Sequence, residues 1–343
     1  MISEDQTGFF SRESYLTTPY SFKETMGWFK RLVFGPTKNN SFNIEYMPKS
    51  HRLNKITPKF TISFIGDIMD IKFRDLIIHE NIKDFVNGSD FLIGNFEGTL
   101  TPDKRFMNKR HKPQIMDALE SLFQPNKTYL SVANNHSGDF GSKVFSHSVK
   151  QLERRGFNVF GSLKKPYCDL TDELRVIGGT QWSNRPCNYI VKLKDTINYT
   201  KRDSCNLLFP HWGYERELYP RIETIREGML FLSEFDLLIG HHSHTPQPVS
   251  FYPIDGINKL TAYSLGNFCF GMDNKKFKDY KYGIAIKITI GKAIANEVGQ
   301  WSIGKVKWTF LKSYPISKKE VIVETADNYS NYSLDYGDNT LYI

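Results

Sequence analysis

Residues 59 to 69 read KFTISFIGDIM, a run that alternates polar and apolar side chains and then becomes apolar before it stops at Asp67. This pattern predicts a strand that enters the core of a sheet. Gly66 allows the backbone to turn sharply at the end of the strand, and Asp67 places a carboxylate there. Taken alone, an aspartate in this position is more often a turn former or a helix cap than a metal ligand.

Four later stretches repeat the arrangement of an apolar run followed by side chains that can bind metals. They are NFEG at 95–98, ANNHSGD at 133–139, HWGYE at 211–215 and GHHSH at 240–244. Loops that leave buried strands are where a rigid sheet presents polar side chains. We therefore expect all five groups to converge in space.

Length and composition limit the class of protein. The 343 residues are 40% hydrophobic and 14% aromatic, which is enough for one large core. The formal net charge of +8 favours an anionic partner, such as a phosphorylated metabolite, an acidic polymer, a nucleic acid or a membrane surface. The four cysteines form no CxxC pair, so we expect no disulfide, no structural zinc and a reducing compartment.

Strand patterns and helical patterns alternate through most of the chain. The strand patterns lie at 90–94, 128–133, 157–161, 174–179, 206–210, 236–240 and 260–266, and the helical patterns lie at 114–122, 143–155 and 222–234. This alternation predicts an α/β fold with a sheet covered by helices on its faces. Two later runs, at 282–291 and 305–316, alternate without a helix between them. We expect them to form a second, antiparallel sheet that packs on the first.

The composition divides the chain into three segments. We expect an N-terminal extension over 1–57 with a basic amphipathic helix, a main domain over 58–316 and a polar tail over 317–343. The sequence has no signal-peptide pattern and no apolar run as long as a membrane span, so we expect a cytoplasmic protein without a transmembrane segment.

The helix of the N-terminal extension has two interpretations. Lys23, Lys30 and Arg31 lie between apolar residues that recur at helical spacing. The apolar residues are Phe22, Met26, Phe29, Leu32 and Val33. The helix would either lie on a membrane surface or dock its apolar stripe onto the main domain. Base rates for amphipathic segments favour docking.

The stretch ANNHSGD concentrates three kinds of polar group within six residues. The carbonyl of Asn135 can bind a divalent cation, His136 can donate to a phosphoryl oxygen, and Asp139 can fix the tautomer of that imidazole. An Asx-turn loop that caps the following helix explains the same residues equally well.

The stretch GHHSH places His242 and His244 one residue apart. If this segment is extended, both imidazoles point to the same side and can serve neighbouring metals. His211 and Glu215 add another imidazole and another carboxylate after a strand.

A basic run, KRFMNKRHK at 104–112, follows Glu97 closely. Its cations could line the entrance to the site and attract a polyanion; they are Lys104, Arg105, Lys109, Arg110 and Lys112. A solvated loop face is the commoner explanation of such a run. The run has too few aromatic residues for a nucleic-acid stacking platform, so we do not expect nucleic acid to bind.

The order of these motifs, followed by YSLGNF at 263–268, resembles the CapA family of capsule and poly-γ-glutamate synthesis proteins, over residues 59 to 272. That family belongs to the calcineurin-like metallophosphoesterase superfamily. The resemblance implies a four-layer αββα sandwich with a dinuclear metal site at the carboxyl ends of the strands. It also implies a metal-dependent hydrolase of the phosphoesterase type, linked to capsule or poly-γ-glutamate metabolism.

The resemblance also assigns roles to individual residues. Asp67 and His244 would bind the first metal and Glu97 would bridge the two. Asn135, His211 and His242 would hold the second metal. His136 would contact the scissile group and Asp139 would orient His136.

One departure affects the first metal, because Met69 stands where most of the superfamily has a histidine ligand. We expect that metal to bind more weakly. Two divalent ions, manganese, iron or zinc, suit the mixed nitrogen and oxygen donors, and the expected substrate is an anionic phosphoester or acidic polymer. The alternative function is a non-hydrolytic factor that binds polyanions in capsule or poly-γ-glutamate synthesis.

Overall fold

The run KFTISFIGDIM lies in a strand at the centre of a large sheet, in a computed structural model that describes residues 19–105, 107–294 and 299–329. The strands are β1 (Ser50–Arg52), β2 (Ile56–Ile68), β3 (Asp75–Ile78), β4 (Phe91–Phe96), β5 (Thr99–Leu100), β6 (Arg110–His111), β7 (Thr128–Ser131), β8 (Asn158–Phe160), β9 (Tyr167–Thr171), β10 (Leu174–Thr180), β11 (Cys205–His211), β12 (Leu237–Ile239), β13 (Val249–Ile254), β14 (Ile257–Ala262), β15 (Asn267–Cys269), β16 (Tyr282–Ala293), β17 (Trp301–Pro315) and β18 (Glu320–Ala326). The helices are α1 (Phe22–Phe34), α2 (Glu80–Val86), α3 (Ile115–Leu122), α4 (Gly141–Arg154) and α5 (Ile222–Glu234), and short 3-10 helices lie at Pro125–Lys127, Leu193–Tyr199 and Lys275–Lys281. The fold is therefore mixed α/β, as the alternation of patterns predicts.

The first sheet has ten strands in the order β3-β18-β17-β16-β2-β4-β7-β8, with β1 on β17 and β15 on β2. Strands β2, β4, β7 and β8 run parallel, whereas β16 pairs antiparallel with β2 and with β17. The carboxyl ends of β2, β4 and β7 therefore meet at one edge.

The second sheet has six strands in the order β13-β14-β12-β11-β10-β9. Its four inner strands are parallel, and β9 and β13 pair antiparallel at the two edges. The second sheet is thus built from residues before 263.

The expectation that the strands after residue 280 form the second sheet is wrong. Strands β16 and β17 belong to the first sheet, because β16 pairs along the side of β2 that β4 leaves free. A period of two identifies a strand and its buried face, but it does not identify the partner strand.

The inner faces of the two sheets share one apolar core. Phe64 on β2 and Ile286 on β16 belong to the same cluster of buried side chains as Val176 on β10 and Phe209 on β11. On its other face the first sheet packs against α2, α3 and α4, while the second sheet packs against α5.

The sheet continues into the segment that we expected to be a polar tail. Strand β18 pairs antiparallel with β17 and parallel with β3. Val321 and Val323 alternate with more exposed residues and are fully buried, which accounts for the strand. The main domain therefore extends beyond residue 316, and residues 330–343 lie outside the described part of the chain.

Helix α1 docks through its polar side. Its buried residues are Thr25 and Arg31, whereas Phe22 is 81% exposed and Phe34 is 86% exposed. The expectation that the apolar stripe faces the main domain is wrong, because ion pairs of Glu24 and Arg31 with the main domain and each other fix the opposite side of the helix. Within the described residues, no helix has the length and apolar character needed to cross a membrane.

Candidate metal centre

The five predicted groups converge where strands of both sheets end. Asp67 is near the end of β2, Glu97 follows β4, and Asn135 and His136 lie in the loop after β7. The second sheet contributes His211 at the end of β11 and the residues 241–244 after β12. The site therefore spans the carboxyl ends of parallel strands in the two sheets.

Asp67 is fully buried and surrounded by donors. Its Oδ1 lies 3.1 Å from Nδ1 of His241, and its Oδ2 lies 3.3 Å from Nδ1 of His244. Asn95 donates to Oδ1 at 2.8 Å. Burial alone would raise the pKa of Asp67, but the hydrogen bonds with the two histidines hold it well below its usual range. Asp67 is thus a carboxylate in the folded protein.

Within the described part of the chain, Glu97 is a carboxylate of the site that lacks hydrogen bonds to both of its oxygens. It is 0% exposed, and neither of its oxygens has a hydrogen-bond partner among the described residues. Oε1 lies 3.6 Å from Nε2 of His244 and 3.8 Å from Nε2 of His136. Burial raises the pKa of Glu97 well above its usual value. A buried carboxylate without hydrogen bonds is stabilised when it binds a cation.

His211 lies between the loop after β7 and the GHHSH stretch. Its Nε2 is 3.0 Å from Oδ1 of Asn135, and its Nδ1 is 2.8 Å from Nδ1 of His241. Burial and the neighbouring imidazoles hold the pKa of His211 well below its usual value. A neutral imidazole is the form that binds a metal.

His242 and His244 come together with Glu215 in a third part of the site. Burial lowers the pKa of His242 to about 3. Burial would raise the pKa of Glu215, but the nearby imidazoles of His244 and His242 and the hydrogen bonds from Tyr280 and Trp28 bring it to about 2. The segment is not extended at these two residues, because both histidines have positive φ, 106° at His242 and 55° at His244. A bend in the backbone instead brings the two rings together, with centroids 5.9 Å apart.

Among the described residues, three sets of side chains have candidate ligand atoms that all lie within 4.8 Å of one another. They are Asp67, Glu97 and His244; Asp67, His211 and His241; and Glu215, His242 and His244. Asp67 and His244 each belong to two sets. These nitrogen and oxygen donors fit divalent manganese, iron or zinc.

The predicted ligands that meet in one set are Asp67, Glu97 and His244. His211 and His242 fall in different sets, and Asn135 contacts His211. Sequence reasoning omitted His241 and did not assign Glu215 to a metal. Both residues stand inside the quoted motifs, but three histidines in a run of five residues do not reveal which of them face the site.

The predicted contact between His136 and Asp139 is present. Nδ1 of His136 lies 2.7 Å from Oδ2 of Asp139. Asn184, in the loop after β10, places its amide nitrogen 3.3 Å from the same Nδ1. A single asparagine in that loop gave no signal in the sequence.

The part of the chain that contains these motifs matches a known protein family. The model of a family described as "Bacterial capsule synthesis protein PGA_cap" matches residues 52–171 and 179–272. The chain belongs to this family.

Two curated relatives resemble this PGA_cap family member. Capsule biosynthesis protein CapA of Bacillus anthracis is 26% identical over 276 residues, which cover 68% of this chain and 64% of that protein. PGA biosynthesis protein CapA of Bacillus subtilis (strain 168) is 22% identical over 251 residues, which cover 63% of this chain and 65% of that protein. The chain thus spans less than two thirds of the length of either relative. A solved structure of a hypothetical protein from Thermus thermophilus is 13% identical and superposes with a TM-score of 0.43, covering 72% of this chain and 98% of that one.

The basic run of this PGA_cap family member lines a cavity that it shares with the candidate centre. This cavity of about 650 Å³ is also lined by His136, Glu215 and His244. Its cationic lining residues are Lys72, Lys104, Arg105, Lys109 and Arg110. Lys112 is not among the lining residues and lies 3.8 Å from Asp75. Four of the five cations of the run therefore line the same cavity as His136, Glu215 and His244.

The basic loop is attached directly to Asp139. The backbone N–H of Lys109 donates to Oδ2 of Asp139 at 2.8 Å, and the side chain of Asn108 donates to the backbone carbonyl of Asp139 at 2.8 Å. The carboxylate that orients His136 therefore also positions the loop.

Met69 fills an apolar position in this PGA_cap family member. It is fully buried in a cluster with Phe270 and Tyr280. Position 69 therefore supplies a thioether and not an imidazole, as the sequence indicates.

Proposed function

We propose that this PGA_cap family member is a metal-dependent hydrolase of the phosphoesterase type that acts on an anionic substrate in capsule or poly-γ-glutamate metabolism. The observation that carries the proposal is the carboxylate of Glu97, buried without a hydrogen-bond partner among the described residues and placed beside His244, His136 and Asp67. Such a group is costly in a folded protein unless a cation neutralises it.

We also propose the four-layer αββα arrangement for the fold. The support is the set of apolar clusters, since one cluster joins the inner faces of the two sheets and two others join the sheets to helices.

Two divalent cations fit the donor sets. Asp67, Glu97 and His244 would hold one ion, and His211, His242 and the neighbouring Asn135 remain the candidates for the other, joined by His241 and Glu215. When bound, such ions supply positive charge that polarises phosphoryl oxygens and makes water more acidic.

The protein's own groups then account for substrate orientation and proton transfer. His136 is held at Nδ1 by Asp139, so its Nε2 faces Glu97 and the cavity and can give a proton to the leaving oxygen. The cations of the basic loop attract the anion to the cavity.

The test is to purify the full chain without added metal, measure its metal content, and assay p-nitrophenyl phosphate and bis(p-nitrophenyl) phosphate before and after chelation. His136→Ala is the matched control because His136 belongs to none of the three ligand sets. We expect two equivalents of metal, hydrolysis that chelation abolishes, and a rate about 10²- to 10⁴-fold lower for the variant. A metal-loaded protein that hydrolyses no faster than His136→Ala would contradict the proposal.

A second candidate function is non-hydrolytic binding of a polyanion. Met69, buried in place of a ligand beside a cationic cavity, favours it. Saturable binding of poly-γ-glutamate that persists in chelator, together with no hydrolysis, would support this function over the first.

A further inference from the structure

The segment 19–34 contacts the candidate metal centre although it lies outside the residues that the family model matches. The hydroxyl of Tyr20 is 2.8 Å from Nε2 of His242. The same hydroxyl accepts the backbone N–H of Glu215 at 3.2 Å. Tyr20 therefore contacts two neighbouring members of one ligand set.

Trp28 holds the carboxylate of that set. Its Nε1–H donates to Oε2 of Glu215 at 2.8 Å, and the hydroxyl of Tyr280 donates to the same oxygen at 2.8 Å. Two donors on Oε2 fix the plane of the carboxylate and leave Oε1 to face other groups.

The hydrogen bond between the Tyr20 hydroxyl and His242 engages Nε2 and leaves Nδ1. When Nε2–H donates to the Tyr20 oxygen, Nδ1 keeps its lone pair for an ion. Nδ1 of His242 is buried and has no hydrogen-bond partner among the described residues. A metal-binding imidazole is usually held in this way, with one nitrogen on a polar partner and the other on the ion.

An ion-pair network fixes the segment in this position. Glu24 lies 2.8 Å from Arg31 and 2.8 Å from Arg221, and Arg31 lies 3.1 Å from Glu217. The ring of Tyr20 also packs edge-on against Trp182, with centroids 5.0 Å apart. The segment is thus attached both through the ion pairs of α1 and through the ring of Tyr20.

We propose that Tyr20 and Trp28 are positioning residues that orient His242 and Glu215 for metal binding. This inference rests on the proposed metal centre and adds to it a part of the chain that precedes the family's matched region. Loss of such a supporting hydrogen bond typically weakens metal affinity by about 10- to 100-fold.

The experiment compares the full chain with Tyr20→Phe and Trp28→Phe, which remove one hydrogen bond each and keep an aromatic ring. Phe34→Ala is the control on the same helix, because Phe34 is 86% exposed. Affinities for Zn²⁺ and Mn²⁺ are measured by calorimetry with a competing chelator, and the visible spectrum of the Co²⁺-loaded protein reports the ligand geometry. Thermal unfolding in chelator reports folding.

We expect Tyr20→Phe and Trp28→Phe each to bind metal about 10- to 100-fold more weakly and to change the Co²⁺ spectrum, with Phe34→Ala unchanged. Equal affinities and spectra in all four proteins overturn the inference alone. A variant that binds metal more weakly, keeps the Co²⁺ spectrum of the unaltered chain and melts at a lower temperature in chelator would show that the segment acts only through packing. That result also overturns the inference. If the unaltered chain binds none of the three ions, the inference and the proposed metal centre both fail. Metal binding without hydrolysis contradicts only the proposed hydrolase.

Discussion

Glu97 and Asp67 are two buried carboxylates in one site that differ in their hydrogen bonding. Asp67 receives hydrogen bonds from Asn95 and the backbone of His242 and contacts two more histidines, so its charge is compensated. The carboxylate of Glu97 has imidazoles nearby but no hydrogen bond to any described residue. The metal-free protein therefore bears a cost at Glu97 that a neutral side chain of the same size would reduce.

Glu97→Gln is expected to stabilise the metal-free protein at neutral pH. Burial raises the pKa of Glu97 above its unfolded value of 4.5, so the folded state keeps a proton that the unfolded state releases. Stability of the unaltered protein consequently falls as pH rises through the unfolded pKa, until the folded pKa is passed. The advantage of the variant should grow from nearly zero at acidic pH to about 1–3 kcal/mol near neutrality.

Urea unfolding in chelator across this pH range measures the difference. Glu153→Gln, a change at an exposed glutamate on α4, is the control. Parallel pH profiles for the unaltered chain and Glu97→Gln would show that Glu97 is not the costly group.

Asp139→Asn should reduce turnover less than loss of His136 itself. Asp139 orients His136 and also accepts the N–H of Lys109, so the variant disturbs the imidazole and the basic loop together. We expect kcat to fall about 10- to 100-fold and KM for an anionic substrate to rise, with metal content unchanged. Steady-state kinetics and elemental analysis check this; loss of metal instead would place Asp139 among the ligands.

Single residues of the site were predictable where a side chain that can bind a metal follows the end of a strand. Asp67, Glu97 and His244 follow from that rule and meet in one set. Tyr20 and Asn184 do not, because a tyrosine or an asparagine in a loop becomes part of the site only through contacts with distant residues.

At the scale of elements, the cations of the basic loop form one wall of the cavity; they are Lys104, Arg105, Lys109 and Arg110. Lys104→Ala and Lys109→Ala should each raise KM for an anionic substrate by up to about fivefold, which corresponds to about 1 kcal/mol for a solvent-accessible charge. The salt dependence of kcat/KM should become shallower, since fewer charges attract the substrate.

Kinetics at several salt concentrations test the role of the loop. Lys150→Ala on α4 is the matched control, because Lys150 is exposed and does not line the cavity. The same KM change in the control would mean that only net charge matters.

Strand β18 is expected to be essential for the first sheet, because it joins β17 to β3. Val323→Ala removes two carbons from a fully buried position and should cost about 1–3 kcal/mol of unfolding free energy. Denaturant unfolding measures this cost. Lys319→Ala, at an exposed position just before the strand, should change stability little; equal effects would argue against the packing role of β18.

The elements themselves follow from the sequence better than their arrangement does. The patterns at 59–69, 206–210 and 222–234 fall in β2, β11 and α5, since local periodicity determines which face of an element is apolar. The placement of β16 next to β2 depends on which sheet edge is free, and the docking of α1 depends on distant ion pairs. Neither property is encoded in a local pattern.

For the molecule as a whole, the candidate centre connects the two sheets. Asp67 and Glu97 come from the first sheet, whereas His211 and His241 come from the second. An ion held by groups from both sheets should therefore stabilise the fold globally and not only one loop.

Addition of Zn²⁺ or Mn²⁺ at about 100 times its Kd should raise the unfolding free energy by about 2.7 kcal/mol. Thermal unfolding of the full chain with and without metal, followed by chelation, measures the effect. A metal that binds without shifting the melting temperature would indicate an adventitious surface site.

The pairing of β2 also has a consequence for synthesis on the ribosome. One side of β2 is covered by β15 and β16, which come from residues beyond 266, whereas the other side is covered by β4. A nascent chain therefore exposes an unpaired edge of β2 until the residues beyond 266 have emerged. A ribosome that stalls before residue 267 should consequently release a fragment with this edge open, which favours aggregation.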